Sequence, residues 1–293
     1  MLPVVDATDV SAALDRIGVA HGAVVPAAQG WSYFTFEVEP HWIFRFPRNA
    51  ELVGALRREI AVLPEIASRL SVRVPAFEHV GERAGWPFVG YRRIEGRALV
   101  AADLEGEAST SVASALSELH GVPLEVVAPR IAAEPTLEAW RRRYHALHAA
   151  AQERVMPLLT PALAAAVERG FARFLDSQLA ALPAVTPVHY DLGCEHLLVD
   201  TRTGLLNGII DFEELTIGDP AVDFVGLFVE GGEEAVRRVL SRYRGPRDAS
   251  FEQRIAFYAW MGAYHEIEHG LEHADRRHIE AGIKGLEQRL QGA

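Results

Sequence analysis

The sequence predicts an α+β protein with a small, strand-rich N-terminal lobe and a large, mainly helical C-terminal lobe. Along residues 33–38 and 41–46, aromatic and apolar residues alternate with polar ones, as they do in paired antiparallel strands. Further along the chain the pattern changes to long stretches with apolar residues at helical spacing. We therefore expect two lobes, residues 1–93 and 94–293, joined by a hinge at about 89–96. Ligands commonly bind in the cleft between two such lobes.

The N-terminal lobe is predicted to combine about five strands with a long helix and a short leading helix. Its expected elements, in chain order, are a short helix at about 1–20, strands at 33–38 and 41–46, a helix at 49–70, and strands at 75–80 and 86–94. The longer helix follows from the stripe formed by Leu52, Leu56 and Ile60. Aromatic and β-branched residues favour the strands, and the two glycines between the last two strands suit a turn.

The C-terminal lobe is predicted to be helical apart from one inserted hairpin. Helical spacing covers 109–122, 136–159 and 161–182. Two apolar strands then lie within 197–212, and the segment "DTRTG" between them contains Gly204, which suits a hairpin turn. From Pro220 onward the chain is again expected to be helical.

The composition is that of an ordinary globular protein, and it narrows the classes of function. With 49% hydrophobic and 24% charged residues, the 293-residue chain can form one large or two modest folded units. A formal net charge of −11 argues against a nucleic-acid-binding protein, which usually presents a basic face, and suits a cationic small partner better. The single cysteine, Cys194, excludes an intrachain disulfide and a cysteine-based zinc site. Because the sequence also lacks a signal-peptide pattern and an apolar run of about 18 residues, we expect a cytoplasmic protein without a membrane partner.

The stretch "PVHYDLGCEHLLVD" (187–200) carries the strongest chemical pattern of the sequence. Asp191 and His196 are five residues apart, His189 precedes Asp191 by two, and Asp211 follows at the end of the predicted hairpin. Phosphoryl transfer needs an oriented carboxylate for the acceptor hydroxyl and ligands for the magnesium ion that bridges the phosphates. The joint spacing of the two carboxylates therefore predicts a phosphotransferase site.

Taken with its surroundings, this stretch resembles the aminoglycoside phosphotransferase family, kinase-like enzymes that phosphorylate antibiotic hydroxyls. The resemblance covers most of the chain and includes "QGWSYFTFEV", "WIFRFPR", "LRREIAVL", "GYRRIEGRAL", "LSELHGVP", "VHYDLGCEHLLVD" and "GIIDFEELTIGDPAVDF". A histidine at position 196 is similar to the aminoglycoside 2''-phosphotransferases and, next, to the macrolide 2'-phosphotransferases. The resemblance implies the bilobal protein-kinase-like fold.

The resemblance also implies roles for the residues of the quoted stretch. Asp191 would be the catalytic base or the carboxylate that orients the acceptor, and His196 and Asp211 would hold Mg²⁺. The kinase pattern places an asparagine where this chain has His196, and imidazole is a less usual ligand for magnesium than oxygen.

Three further polar residues near this stretch are expected to support it rather than to react. His189 would brace the loop that carries Asp191. Asp219 and Asp223 in "GDPAVDF" are predicted to cap a helix and to tie the catalytic loop down.

On the nucleotide side, an arginine stands where the family places a lysine. Arg45 occupies the matching position on the third strand, Arg48 follows three residues later, and Glu59 is the helix acid that could pair with either. An arginine supplies positive charge and a bidentate contact to phosphate, although its planar fork differs from an ammonium group. By strand alternation Arg45 should point away from the face that carries Phe44 and Phe46, and we expect Arg45 to be the phosphate contact.

The remaining nucleotide contacts are expected at the covering loop and at the hinge. "QGWS" (29–32) lies where the phosphate-covering loop should be, which makes Gly30 and Ser32 candidates. The purine of ATP or GTP would bond backbone groups near Arg92 and Ile94. Nothing in the sequence distinguishes adenine from guanine.

The acceptor side is predicted to be acidic. Glu230 and Glu234 directly follow "DPAVDF", where the aminoglycoside branch binds substrate amines. In the late helix Glu268 lies within an apolar stripe, whereas Glu266 lies on the opposite face, so Glu268 is the better contact for a cationic ligand. Together with Asp191, these glutamates form the expected substrate site.

We therefore expect magnesium-dependent transfer of a nucleoside triphosphate γ-phosphoryl group to a hydroxyl of an aminoglycoside, by a monomer. The nearest alternative acceptors are a macrolide and another small molecule with a hydroxyl group. A second class of function is a non-catalytic kinase-like binding protein, in which Arg45 and His196 mark lost activity. A cysteine or serine hydrolase is disfavoured, because Cys194 lacks a nucleophile-elbow context.

Overall fold

The computed structural model of the chain describes residues 4–27 and 32–290. Its N-terminal part is built on a five-stranded antiparallel sheet with the strand order β1-β2-β3-β5-β4. The strands are β1 (Val24–Pro26), β2 (Tyr33–Val38), β3 (Trp42–Pro47), β4 (His79–Arg83) and β5 (Trp86–Arg92), and the helices of this part are α1 (Ala7–Arg16) and α2 (Ala50–Ala67). The predicted α+β fold with a small antiparallel sheet is confirmed.

One face of this sheet is apolar, and the other carries a buried charged side chain. On one face Phe44, Phe46 and Phe88 are buried with α1, and the rings of Phe46 and Phe88 stack with their centroids 4.7 Å apart. On the other face the side chain of Arg45 meets Glu59 of α2. The alternation predicted for β3 is therefore confirmed, and it directs Arg45 toward α2.

Helices dominate the C-terminal part, as predicted. Its helices are α3 (Ala108–His120), α4 (Leu124–Ile131), α5 (Leu137–Ala150), α6 (Pro161–Arg173), α7 (Val225–Leu240), α8 (Phe251–Glu272) and α9 (Arg276–Leu290), and its strands are β6 (Arg97–Ala98), β7 (Thr186–Val188), β8 (Leu197–Val199), β9 (Leu206–Ile209) and β10 (Thr216–Gly218). The predicted hairpin is present as β8 and β9, and β6 and β10 pair with β8 and β7 respectively. No helix in residues 4–27 and 32–290 is both long enough and apolar enough to cross a membrane.

The structure differs from the expected elements in both parts of the chain. The strand predicted at 75–80 lies at His79–Arg83, where it pairs fully with β5. The short edge strand β1 and the proline-containing helix α4 were not predicted. The helices predicted at 136–159 and 161–182 lose regular α geometry at two π-type segments, Ala151–Val155 and Phe174–Gln178. Such segments are set by packing and carry no strong sequence signal.

Helix α2 connects the two parts of the molecule through a shared core. Val62, Leu63 and Ile66 of α2 are buried in the same apolar cluster as Leu116 and Leu119 of α3. The helix therefore packs on the sheet with one face and on the C-terminal part with another. The lobe boundary at residue 93 and the hinge at 89–96 stay predictions.

Candidate functional site

A buried aspartate fixes the loop that carries Asp191. Asp223 accepts hydrogen bonds from the backbone N–H groups of His189 and Tyr190, both at 2.8 Å. Its Oδ2 also lies 3.0 Å from Nε2 of the buried His120. The predicted role of Asp223 in tying down the catalytic loop is confirmed, whereas the contribution of His120 was not predicted.

The neighbouring Asp219 also has the supporting role that was predicted for it. Its side chain caps the short helix Pro220–Phe224 by accepting from the N–H of Ala221. Its Oδ2 accepts from Arg254 Nε at 2.6 Å and from the Tyr258 hydroxyl at 2.9 Å. Because Asp219 is fully buried, these contacts satisfy a charge that would otherwise be costly to bury.

His189 braces the catalytic loop against the strand that leads to Asp211. Its Nε2–H donates to the carbonyl oxygen of Ile210 at 2.9 Å, and the ring is buried against Phe212. Burial lowers the pKa of His189, so the ring stays neutral. The contact is the bracing contact that the sequence predicted, and it sets the distance between the two carboxylate-bearing segments.

Asp191 itself is exposed and borders a large cleft. The preceding residue, Tyr190, adopts a left-handed backbone conformation with φ of 74°. A non-glycine residue is uncommon in this region, and its backbone strain has to be offset by other contacts. Here Asp223 holds Tyr190 in place by accepting from its N–H. The conformation turns the chain between the buried His189 and the exposed Asp191.

His196 and Asp211 present two electron-pair donors to each other. His196 Nδ1–H donates to the carbonyl oxygen of Asp191 at 2.8 Å, and in the tautomer that carries its one proton on Nδ1 the other ring nitrogen, Nε2, is an acceptor. That Nε2 lies 3.6 Å from Oδ2 of Asp211. A cation would relieve the repulsion between these two donors. Metal-binding histidines typically donate their other ring N–H to a carbonyl or carboxylate, as His196 does.

The donor set is small, but it fits magnesium. Within residues 4–27 and 32–290 no three or more His, Cys, Asp or Glu side chains are arranged to hold a metal ion by themselves. Magnesium in phosphoryl-transfer sites commonly takes one or two protein ligands and completes its shell with phosphate oxygens and water. His196 and Asp211 therefore fit a magnesium ion that binds together with a nucleotide.

Arg45 is buried among three carboxylates that come from different parts of the chain. Its guanidinium donates to Glu59 Oε1 at 2.9 Å and to Asp211 Oδ1 at 3.2 Å, and it lies 3.8 Å from Glu213 Oε2. Burial lowers the pKa of Arg45, but the carboxylates of Glu59 and Asp211 raise it by more, so the group stays charged. Arg45 thus joins the helix acid to the candidate metal ligand.

Glu213 is a site residue that was not predicted. Its Oε1 accepts from the hydroxyl of Ser32 at 2.5 Å, and its Oε2 is buried without a hydrogen-bond partner among the described residues. Burial raises the pKa of Glu213 to about 7. Its position two residues after Asp211 in the acidic run "DFEE" was the available signal. The contact brings Ser32 to the site, while Gly30 lies outside the described residues.

The side chains of the two other arginines named for the nucleotide side make contacts with protein groups, and their roles in nucleotide binding stay predictions. Arg48 donates to the carbonyl oxygen of Tyr33 and lies over the ring of Phe34, so that Arg45 and not Arg48 meets Glu59. Arg92 pairs with Glu78 and lies over the ring of Trp42 at the exposed end of β5. Ile94 is buried just beyond β5, and the expected purine contact there through backbone groups stays a prediction.

A cleft of about 670 Å³ opens beside Asp191. Its charged and histidine lining residues are Arg143, Asp191, Glu195, Glu214, Glu230 and His265. The close packing of α7 on the catalytic loop shapes one side of it, since a Cβ at Gly226 would lie 2.3 Å from the carbonyl oxygen of Leu192. Of the three glutamates predicted for the acceptor, Glu230 lines this cleft, and Glu195 and Glu214 are additions.

Glu234 and Glu268, the other two glutamates predicted for the acceptor, are not among the residues that line this cleft, and their acceptor contacts stay predictions. Helix α7 breaks at Gly232, whose φ of 66° and ψ of −167° are non-helical, and this break separates Glu234 from Glu230. Glu234 is instead paired with Arg237 and Arg238 on the surface. Glu268 is paired with Arg154 at 3.5 Å and lies 3.6 Å from His265.

Comparisons with known proteins agree with this geometry. A model described as the phosphotransferase enzyme family (APH) matches residues 23–258. Viomycin phosphotransferase of Streptomyces vinaceus is 33% identical over 111 residues, which are 36% of this chain and only 38% of that relative. An APH(2") aminoglycoside phosphotransferase solved with GDP and kanamycin has a TM-score of 0.86 and 24% identity, with 96% of this chain and 97% of that chain covered.

A solved structure of a macrolide 2'-phosphotransferase type I is also similar in fold. Its TM-score is 0.80 at 23% identity, with 97% of this chain and 99% of that chain covered. At such low identity the two structural likenesses show a shared fold and no more. The family model, in contrast, spans all five strands of the N-terminal sheet, the loop that carries Asp191 and most of the residues that line the cleft. The chain therefore belongs to the phosphotransferase enzyme family.

Proposed function

We propose that this protein transfers the γ-phosphoryl group of ATP or GTP to a hydroxyl group of an aminoglycoside, with magnesium as metal cofactor. The observation that carries the proposal is a line of neighbouring groups, from Arg45 through the Asp211 carboxylate and the His196 ring to the backbone carbonyl of Asp191. This line joins a buried cation that can meet phosphate to a carboxylate that borders an open, acidic cleft. In this proposal residues 1–93 bind the nucleotide, 94–293 provide the catalytic loop and acceptor site, and 89–96 form the hinge.

Each residue of this line has a task that its surroundings allow. Asp191 accepts or orients the proton of the acceptor hydroxyl, because no described residue forms a hydrogen bond or ion pair with its carboxylate. Arg45 contacts the phosphates through the N–H groups that now face Asp211 and Glu213. His196 and Asp211 would hold magnesium, which when bound would neutralise charge on the phosphates. The phosphoryl group passes directly to the acceptor, with no covalent enzyme intermediate.

The acceptor cleft supports a cationic acceptor. Four carboxylates line it, those of Asp191, Glu195, Glu214 and Glu230, against a single arginine. Ammonium groups of an aminoglycoside can pair with such carboxylates, and a similar structure was solved with kanamycin. Viomycin is a second candidate acceptor, because the sequence is 33% identical to viomycin phosphotransferase over 111 residues.

The proposed activity is tested by a phosphorylation assay with purified protein, MgCl₂ and either ATP or GTP. The acceptors are kanamycin, gentamicin, streptomycin, viomycin and the macrolide erythromycin. We expect turnover of at least one aminoglycoside, with a higher kcat/KM than for erythromycin. Turnover of only viomycin or erythromycin would contradict the acceptor while leaving phosphotransfer in place. If no acceptor reacts and calorimetry detects no magnesium-dependent nucleotide binding, the alternative of a non-catalytic kinase-like protein is favoured.

Replacing His196 tests whether imidazole serves as a metal ligand. His196→Ala removes one of two donors, and we expect the magnesium concentration required for ADP binding to rise about 10- to 100-fold. His196→Asn supplies an oxygen donor that magnesium prefers, so it should restore much of the loss. The measurement is calorimetric titration of ADP at several magnesium concentrations. An unchanged magnesium requirement in His196→Ala would show that the ring only supports the loop through its contact with Asp191.

A further inference from the structure

Arg143 places a guanidinium on the wall of an acidic cleft, and no carboxylate of the described residues pairs with it. It lies on α5, whereas Glu195 and Glu230 come from the catalytic loop and α7, and all three line the cleft. Among the residues that the structure describes, none forms an ion pair or hydrogen bond with Arg143, and its recorded contacts are with aromatic rings. The carboxylates of the cleft therefore do not neutralise it directly.

The aromatic contacts hold the guanidinium in place. Its central carbon lies 4.3 Å from the ring centroid of Tyr190 and 5.6 Å from that of Trp140. Trp140 is itself fixed, because its indole N–H donates to the Tyr258 hydroxyl at 3.1 Å, and that hydroxyl donates to Asp219. Stacking uses the flat face of a guanidinium and leaves the N–H groups on its edge free to donate.

The site can accommodate a ligand that accepts these hydrogen bonds. Tyr190 directly precedes Asp191, so the stacked guanidinium lies on the wall of the cleft that adjoins the candidate catalytic carboxylate. Arginine donates five hydrogen bonds and accepts none, so its counterpart must be an oxygen or another acceptor atom. An ammonium group cannot fill this role, and it would be repelled.

We propose that Arg143 is a specificity-determining residue that binds an oxygen atom of the acceptor. This inference rests on the proposed function. The acceptor is then an oxygen-rich amine held from two sides. Its ammonium groups pair with the carboxylates of the cleft, and a hydroxyl, ether or carbonyl oxygen accepts from Arg143. This arrangement orients the reacting hydroxyl toward Asp191.

The direction in which acceptor affinity changes when Arg143 is replaced tests the proposal. If Arg143 only adds positive charge to the cleft, Arg143→Ala will strengthen the binding of a cationic acceptor, because a like charge is removed. If Arg143 donates to the acceptor, the same variant will weaken acceptor binding about 10- to 100-fold. Arg143→Lys keeps the charge but loses the planar fork and the stack, so its effect should lie between those of wild type and alanine.

The experiment is calorimetric titration of the full chain, with ADP and magnesium present, using the acceptor of the assay panel that wild type binds most tightly. KM and kcat are measured as well where that compound is phosphorylated. Arg142→Ala is the matched control, since this neighbouring arginine is exposed and pairs with Glu134 instead of lining the cleft. We expect weaker acceptor binding only in the Arg143 variants, unchanged ADP affinity and an unchanged melting temperature.

Unchanged or tighter acceptor binding in Arg143→Ala would overturn the proposal, whether or not the compound is phosphorylated. A compound that wild type binds but does not phosphorylate would count against the proposed function while still testing Arg143 by affinity. If wild type binds no compound of the panel, both proposals are wrong.

Discussion

Asp191→Asn is expected to lower kcat about 10²- to 10⁴-fold, the range typical for the loss of a positioned acid–base group. The carboxylate borders the acceptor cleft, and no described residue pairs with it, so the substitution removes a proton acceptor without breaking a structural contact. The backbone of the loop is held by Asp223 through other atoms. We therefore expect an unchanged melting temperature. The affinities for magnesium and ADP should remain within a factor of about two of wild type. Single-turnover kinetics with ATP and an active acceptor measure the effect.

The matched control for this variant is Glu195→Gln. Glu195 is exposed, lies four residues away in the same loop and lines the same cleft. It should contribute to acceptor binding and not to proton transfer, so its loss should raise the acceptor KM while kcat stays within a few-fold of wild type. Should Asp191→Asn retain a kcat close to wild type, Asp191 is not the base, and the exposed Glu214 becomes the carboxylate to examine.

The parts of this molecule that sequence reasoning predicted well are those in which local pattern and chemistry agree. Alternation in "WIFRF" predicted that Arg45 would face away from two phenylalanines. The helical pattern of residues 49–70 predicted the helix that carries Glu59, the residue with which Arg45 pairs. The spacing within the catalytic loop likewise predicted that His196 and Asp211 belong to one site. In each case a short-range rule was sufficient.

The predictions that the geometry does not favour concern residues whose position depends on the path of the backbone or on a distant partner. Glu234 was assigned to the acceptor because it follows "DPAVDF", but α7 breaks at Gly232 and Glu234 pairs with Arg237 and Arg238. Glu268 was assigned because it lies on an apolar stripe, and the structure supplies Arg154 from a different segment as its partner. Glu213 was overlooked because its neighbours, Ser32 and Arg45, are far away in sequence. Tertiary contacts of this kind cannot be read from spacing alone.

The arginine at position 45 has a geometric consequence. The planar fork of Arg45 donates through one terminal nitrogen to Glu59 and through the other to Asp211. An ammonium group presents a single nitrogen and would be shorter, so it would not hold two carboxylates in this fixed arrangement. The arginine therefore ties the helix acid to the candidate metal ligand before a nucleotide is bound.

Removing Arg45 is expected to affect both stability and nucleotide binding. Arg45→Met leaves Glu59 buried without a cation among its described neighbours, and breaking a buried ion pair on one side typically costs about 3–5 kcal/mol of unfolding free energy. The same variant loses a charged contact to phosphate, so we expect the dissociation constant for ADP with magnesium to rise at least about tenfold. Urea unfolding and calorimetry measure the two effects separately.

The double variant Arg45→Met/Glu59→Met separates the structural role of Arg45 from its role in binding. Replacing both members of a buried ion pair by apolar residues is often neutral, so the double variant should recover most of the stability lost in Arg45→Met. It should not recover nucleotide affinity, because the phosphate contact is still absent. Arg45→Lys keeps the charge and should retain more affinity than either variant. If the double variant is as unstable as Arg45→Met, the uncompensated charge of Glu59 is not the cause of the instability. If instead it binds ADP as wild type does, the phosphate-binding cation must be a residue other than Arg45.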